Sequence, residues 1–381
     1  MLFNFELKSA LLLIFFFHGL VFSALLFYKN IQSTNKSSFW LGLFVLLSTL
    51  YITPFMLGYA GWYTKQPFRN ILFYVPFQQL FLLPPTLYFY FKSLLDSSFN
   101  FSKRNSYHFI PAGLYLLYAI VVVVTDQVIL HEYYFYKDEK DKDFSTWYQV
   151  AGFLSMTYYL IISLKLYGQY KELTYNELSF ADSVMFRWAK KFLLAFLLLI
   201  IFRFIFFISN PEWAAFGKKF WYYLSYSFLF YYISINGYSN SIRSLISFKN
   251  NFNNSVDLSE KPAEIPDLAI LKEKIEKLME VDKIYKNPTL TLSDVCKLLN
   301  THSKKASQII NQGFDVNFND FVNEYRIREV INKIDNGEHN LQTLLGIALD
   351  CGFNSKSTFN RAFKRYTSLN PKTYIEKKYK K

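Results

Sequence analysis

The stretch Ile347–Arg365, IALDCGFNSKSTFNRAFKR, reads as two short helices around one tight turn. Apolar residues recur at helical spacing on both sides of Gly352, a residue able to take the left-handed conformation that such a turn requires. Ala348 is small enough to sit where the two helices cross. On the helix from 355, Phe359, Ala362, Phe363 and Tyr366 share one face, which leaves Ser357, Arg361 and Lys364 on the opposite one. Helix-turn-helix units lay a face of this kind in the major groove of duplex DNA. Arg361 has the geometry for a bidentate pair to guanine, and Lys364 and Arg365 suit phosphate.

Upstream the pattern occurs a second time, less strongly. SDVCKLLN, the turn THS and KKASQIINQ place Cys296 at the crossing and Asn300 in the turn, with Ser293 as the expected cap of the first helix. Ala306, Ile309 and Ile310 turn inward, so Lys304, Lys305 and Gln308 face out. Between the copies, NFNDFVNEYRIREVINKI is long enough to hold two readers at fixed separation. An amphipathic helix precedes them, with Leu268, Leu271, Ile275, Leu278 and Met279 as its apolar stripe. From Phe353 onward there are nine Lys/Arg and one acid, Glu376, a positive surface of the kind that counterion release rewards.

TLTLSDVCKLLN, SQIIN, NFNDFVNEYRI, the Ile347–Arg365 stretch and NPKTYI together resemble the arabinose-regulator (AraC-type) DNA-binding domain over about 268–377. The resemblance implies double-stranded DNA as partner and base contacts from Lys304, Gln308, Ser357 and Arg361; no enzymatic activity and no cofactor are expected, since no phosphate-binding glycine loop, metal-binding His/Glu pair or serine nucleophile elbow occurs in the sequence. A membrane-embedded regulator with this tail is also similar to proteins of Bacteroidetes. Four positions depart from the family pattern: Cys296 stands for Ala, Ala306 for Leu, Asp315 for Gly, and Ser368 for Gly before Asn370-Pro371. Asp tolerates a left-handed turn and Ser does so less readily. The loss of Leu at 306 thins the core of the first unit.

The rest of the chain has another character. With 52% hydrophobic and 20% aromatic residues but a net charge of +13, the 381 residues do not form one soluble domain of uniform character. Seven segments have the length and apolarity of membrane spans: 9–28, 38–59, 68–92, 107–129, 147–168, 189–209 and 216–236. The first is too long for a signal-peptide core. With the DNA reader in the cytoplasm, an odd number of spans puts the N-terminus outside, and Lys and Arg then divide twelve inside to eight outside. The acidic loop 130–146 falls outside. The expected architecture is all-α: a seven-helix transmembrane bundle over 1–236, a flexible linker over 237–265, rich in Asn and Ser, and a cytoplasmic double helix-turn-helix domain over 266–381 whose two units a linker helix joins.

Polar residues inside the spans are the only clue to what seven of them are for. His18, Gln78, Gln79, Asp126 and Arg203 are candidates for a polar pocket, and interhelical glue is the bland alternative. By topology Asp126 and Arg203 lie at similar depth, which makes them a candidate pair. Pro76 and Pro84-Pro85 should kink or break the third span beside Gln78 and Gln79. Tyr and Trp at the span ends, such as Trp62, Trp147 and Trp221, fit interfacial belts. The two cysteines, Cys296 and Cys351, read as small core residues; neither a disulfide framework nor a metal site is expected. The expected partners are DNA and the lipid bilayer, with a small molecule, another membrane protein or a second copy of the chain as candidates. A transporter, or a partner-gated receptor with a regulatory tail, is the alternative to a one-component regulator.

Overall fold

The computed structural model describes residues 6–32, 36–209, 216–240, 245–246, 248 and 268–379, and every regular element among them is helical. Most of the expected linker, residues 241–244, 247 and 249–265, lies outside the described residues. The chain forms two compact units. One comprises residues 1–167 and 186–247, the other 168–185 and 248–381. The segment 168–185, which the sequence places between the fifth and sixth apolar segments, therefore belongs to the unit that carries the helix-turn-helix pattern.

The first unit is built on α1 (Leu7–Gln32) and α2 (Ser37–Tyr59), which pack along one another. Small residues make this possible: a Cβ on Gly19 would meet the Thr49 hydroxyl at 1.9 Å, and the Ser23 hydroxyl donates to the Gly42 carbonyl at 3.1 Å. The buried stripe Leu12, Phe15, Gly19, Ser23, Leu26 keeps helical spacing, while Ile14, Phe17 and Val21 lie exposed on the other side. Large apolar side chains turned outward on such a helix are what a hydrocarbon solvent accommodates.

Where one third span was expected, the chain forms α3 (Phe68–Tyr74), an irregular stretch over 75–82, and α4 (Leu83–Leu95), with the proline pair in the first turn of α4. Pro76 cannot donate a backbone bond, and the free groups of the break find partners in a later helix and loop. Tyr148 Oη donates to the Gln78 carbonyl at 2.5 Å and accepts from Leu80 N–H at 3.0 Å, while Asp143 Oδ2 accepts from Gln78 N–H at 2.9 Å.

The unit continues with α5 (Ile110–Val123), then α6 (Thr146–Glu177), whose residues to Tyr167 belong here, α8 (Arg187–Arg203) and α9 (Phe220–Ser239); α7 (Ala181–Val184) lies in the other unit. Both α5 and α8 run on into π-helical turns, Val124–Ile129 and Phe204–Ile208. Four helical stretches are long and apolar enough to cross a bilayer: Leu7–Gln32, Ser37–Tyr59, Lys103–Ile129 and Thr146–Glu177. The other three expected spans are the broken third segment, the α-to-π helix from Arg187, and α9.

In the second unit, α10 (Leu268–Glu280) covers the first helix pair, α11 (Leu292–Leu299) and α12 (Ser303–Gly313). Ile275 and Met279 join Val295, Cys296, Ala306, Ile309, Ile310 and Phe321 in one core. The long α13 (Phe318–Asp335) enters that core with Phe318 and Val322. It enters a second core with Ile327, Val330 and Ile334, built on α14 (Leu344–Asp350), α15 (Lys356–Thr367) and α16 (Pro371–Tyr379). One rigid helix thus carries both pairs.

Local signals in this half are mostly as expected. Asn300, Asp315, Gly352 and Ser368 all adopt left-handed φ, at 48°, 55°, 95° and 61°. The cap of α11 differs from expectation. Thr291, not Ser293, accepts from Asp294 N–H at 3.2 Å while Asp294 Oδ2 accepts from Thr291 N–H at 3.0 Å, so a reciprocal capping box starts the helix earlier.

Candidate nucleic-acid interface

The second helix pair presents its outer face through α15. Ser355 caps the helix by accepting from Thr358 N–H at 3.2 Å, and Phe359 and Phe363 anchor it in the core. Lys356, Ser357, Asn360, Arg361 and Lys364 are all exposed and fall at helical spacing on one side. Lys356 and Asn360 were not singled out from the sequence, although they stand one position before Ser357 and Arg361 and share their face. Asn is the side chain that pairs bidentately with adenine. Tyr366 departs from the expected core face: it is 45% exposed, and its hydroxyl lies 3.4 Å from Arg328 Nε, which donates to it.

On α12, Lys304 is exposed and Lys305 and Gln308 are half-buried, whereas Ala306, Ile309 and Ile310 are fully buried. The core of this pair closes around Ala306 with Phe314 and Phe321 nearby, ring centroids 4.5 Å apart. Both cysteines are buried; burial pushes the Cys351 thiol up to about 12, which leaves it inert.

Arg361, although exposed, already has a partner. It is ion-paired to Asp182 of α7, whose side chain is only 6% exposed and also accepts from Tyr175 Oη at 2.8 Å. Helix α7 lies against α15, and Asn354, just before α15, donates to Ser183 Oγ at 3.1 Å. Arg365 is likewise engaged, donating to Asp320 Oδ1 at 2.5 Å.

What holds this segment on the reader is Arg326, in the middle of α13 and 1% exposed. Nε donates to the Tyr285 carbonyl at 2.8 Å. Nη1 donates to the Ser179 carbonyl at 3.3 Å and to Asn323 Oδ1 at 3.2 Å. Nη2 donates to Ser179 Oγ at 3.1 Å and to the Asn287 carbonyl at 2.7 Å. All these acceptors are neutral, and desolvation accordingly pushes the Arg326 pKa down to about 9. Asn319 donates to the Leu178 carbonyl at 3.1 Å, and Ser179 N–H donates to the Leu290 carbonyl at 3.2 Å.

Residues 295–377 match the family model of a helix-turn-helix domain. The type is the arabinose-regulator one, and the match covers the four left-handed turns at 300, 315, 352 and 368, the whole second core and the part of the first core from Val295 onward. Comparison with curated proteins and with solved structures gives no match. A domain of this type implies DNA binding and a transcription regulator.

For the exposed side chains of α15 the expected outcomes separate by role. Arg361→Ala in the full chain relaxes sequence preference and costs roughly 1–3 kcal/mol on a preferred site, whereas Lys364→Ala weakens all duplexes alike and flattens the dependence of log affinity on log salt by about one. Titrations at several salt concentrations, on preferred and random duplexes, check this; equal losses on both duplexes for both variants would refute the assignment.

The five polar residues noted in the apolar half do not form one cluster. His18 Nε2 pairs with Ser234 Oγ at 2.7 Å, bridging α1 and α9. Gln79 turns back to donate to the Pro76 carbonyl at 2.5 Å. Asp126 and Arg203 are not paired, contrary to the expectation from depth. Asp126, in the π-turn after α5, accepts from Tyr74 Oη and Phe135 N–H, each at 3.1 Å. Arg203 donates instead to Gln149 Oε1 at 2.5 Å and Tyr51 Oη at 3.3 Å. Equal depth fixes no direction around the helix axis, and these two side chains point to different neighbours. Gln149, on α6, then donates to Gln78 Oε1 at 2.7 Å, so Gln78 and Arg203 are the two expected residues that one network joins.

Proposed function

We propose that this chain is a membrane-bound one-component transcription regulator. Its apolar half crosses the cell (inner) membrane seven times with the N-terminus outside and acts as the sensor. Its C-terminal unit reads DNA in the cytoplasm through two successive major-groove faces, with Lys304, Lys305, Gln308, Ser357, Arg361, Lys364 and Arg365 as the contacting side chains.

The observation that carries this reading is the Asp182–Arg361 ion pair. Asp182 comes from the short stretch between two apolar segments, and it occupies the guanidinium that would read guanine. A carboxylate held there keeps the reader closed, because α15 cannot enter the major groove with α7 lying against it. The stretch continues directly from α6, which carries Gln149 at its other end. A signal that moves α6 therefore has a covalent route to the residue that blocks Arg361.

Asp182→Ala is expected to tighten DNA binding by the full chain about fivefold, the equivalent of roughly 1 kcal/mol for a pair whose arginine is partly exposed. The probe is duplex DNA recovered by crosslinking from cells that express the intact chain, titrated against the chain in lipid nanodiscs. Removing any acid raises affinity for a polyanion somewhat, so Glu376→Gln serves as the reference. An Asp182→Ala chain that binds no tighter than Glu376→Gln overturns the closed-reader assignment.

A further inference from the structure

Arg203 and Lys219 line the same cavity, of about 270 Å³, together with Phe144, Gln149, Phe207, Tyr222 and Tyr223. Arg203 is only 7% exposed. Its guanidinium carbon lies 5.8 Å from the centre of the Tyr222 ring, and the Lys219 ammonium lies 5.4 Å from the centre of the Phe144 ring. Among the described residues no Asp or Glu lines the cavity, and none forms an ion pair with either cation. Tyr51 and Gln149 offer Arg203 neutral oxygens only.

Asp143, which shares Gln149 with Arg203, is not a hidden counter-ion. Its carboxylate accepts from Tyr115 Oη and Gln78 N–H, and burial raises its pKa, the opposite of what an adjacent guanidinium does to a carboxylate. Two cations that face one cavity repel each other, and desolvation weakens the water that would otherwise screen them. An arrangement of this kind becomes favourable when a negative group enters between them. The fork of Arg203 suits a planar or tetrahedral oxyanion, and the aromatic walls suit an apolar body attached to it.

We propose that this cavity binds a small organic oxyanion, a carboxylate or phosphate group on an aromatic or short aliphatic body, held by Arg203 and Lys219. The proposal rests on the sensor reading of the apolar half and names the chemistry of its signal. Gln149 links the cavity to α6, so an oxyanion that competes for the Arg203 guanidinium loosens the bond that Gln149 accepts.

The test uses the full chain in nanodiscs of neutral phosphatidylcholine, with benzoate and phenyl phosphate as probes and benzyl alcohol as the uncharged control. At least one of the two anions is expected to raise the thermal midpoint of the apolar half saturably by several degrees, with no effect from benzyl alcohol. Lys219→Gln and Arg203→Gln should each reduce the apparent affinity about tenfold or more; Lys219 is half-exposed, so its variant tests the site even where Arg203→Gln fails to fold. Protection that appears only when phosphatidylglycerol is added supports the oxyanion site with a lipid headgroup as its source.

No protection by either anion or by the anionic lipid overturns the proposal, as does protection that survives both substitutions. Glu212 is the one acid in sequence between the two cations. Protection that appears only in Glu212→Gln would show that the chain's own carboxylate serves them, which also overturns it. DNA binding measured in the same samples separates this idea from the one beneath it. Saturable oxyanion binding with unchanged DNA affinity leaves the site standing and removes the sensor role.

Discussion

Replacing Arg326 with Leu is expected to destabilise the DNA-reading unit by roughly 3–5 kcal/mol, more than any surface substitution in the chain. The side chain is fully buried, and every donor of its guanidinium has an acceptor. Leu would fill part of the volume but leave the Tyr285, Ser179 and Asn287 carbonyls without their donor, each at a cost on the order of 1–3 kcal/mol when water cannot replace it. Arg326→Lys should fall between the two, since an ammonium keeps the charge but offers three donors on a point rather than five in a fork. Hydrogen exchange of the α13 amides in the full chain measures the loss directly. Protection in Arg326→Leu within about 1 kcal/mol of the unaltered chain would show that the network is incidental. The same variant also frees Ser179, so the 178–184 stretch should lose protection together with α13, and a loss confined to α13 would argue against the staple.

Arg326 shows where reading the sequence runs out. In NFNDFVNEYRIREVINKI it looks like one more charge on the polar side of an amphipathic helix, yet among the described residues it is the largest fully buried side chain. Four of its five acceptors come from residues 179, 285 and 287, and pairing over such separations leaves no periodic trace. Asp182 escaped for the same reason: as a short acidic stretch between apolar segments it reads as solvated loop. In the apolar half the break at Pro76 was legible because proline removes a donor whatever its surroundings, but the partners that repair the break, Tyr148 and Asp143, lie more than sixty residues further on. What depends on local chemistry could be read. Turn positions, helix pairs and the core positions Ile275, Met279, Ala306, Ile309, Ile310, Phe359 and Phe363 follow from side-chain size, φ preference and spacing, whereas Tyr366, on the same expected face, is exposed. The Thr291–Asp294 box was present in the letters TLSD as well; Ser293, nearer the first apolar turn, drew the assignment away from it.

Gly352 is the position where local chemistry and tertiary contact agree most strongly, and Gly352→Ala is expected to destabilise the second helix pair by about 3 kcal/mol or more. Its φ of 95° already disfavours an L side chain. In addition, a Cβ would stand 2.3 Å from the Tyr285 carbonyl oxygen and 2.9 Å from the Cα of Lys286, which are backbone atoms that no rotamer change can move aside. The Tyr285 carbonyl is also the acceptor of Arg326 Nε, so displacing it strains the network that holds 179 in place. The contrast is Ser368, left-handed at 61°, where the resemblance expects Gly. Ser368→Gly relieves that strain at the expense of greater freedom in the unfolded chain and should change stability by less than about 1 kcal/mol. Denaturation followed by circular dichroism on the full chain and both variants gives the two values. If Gly352→Ala costs no more than Ser368→Gly, neither the left-handed φ at 352 nor the close approach of the 285–286 backbone persists in solution, and the glycine is not required by this turn.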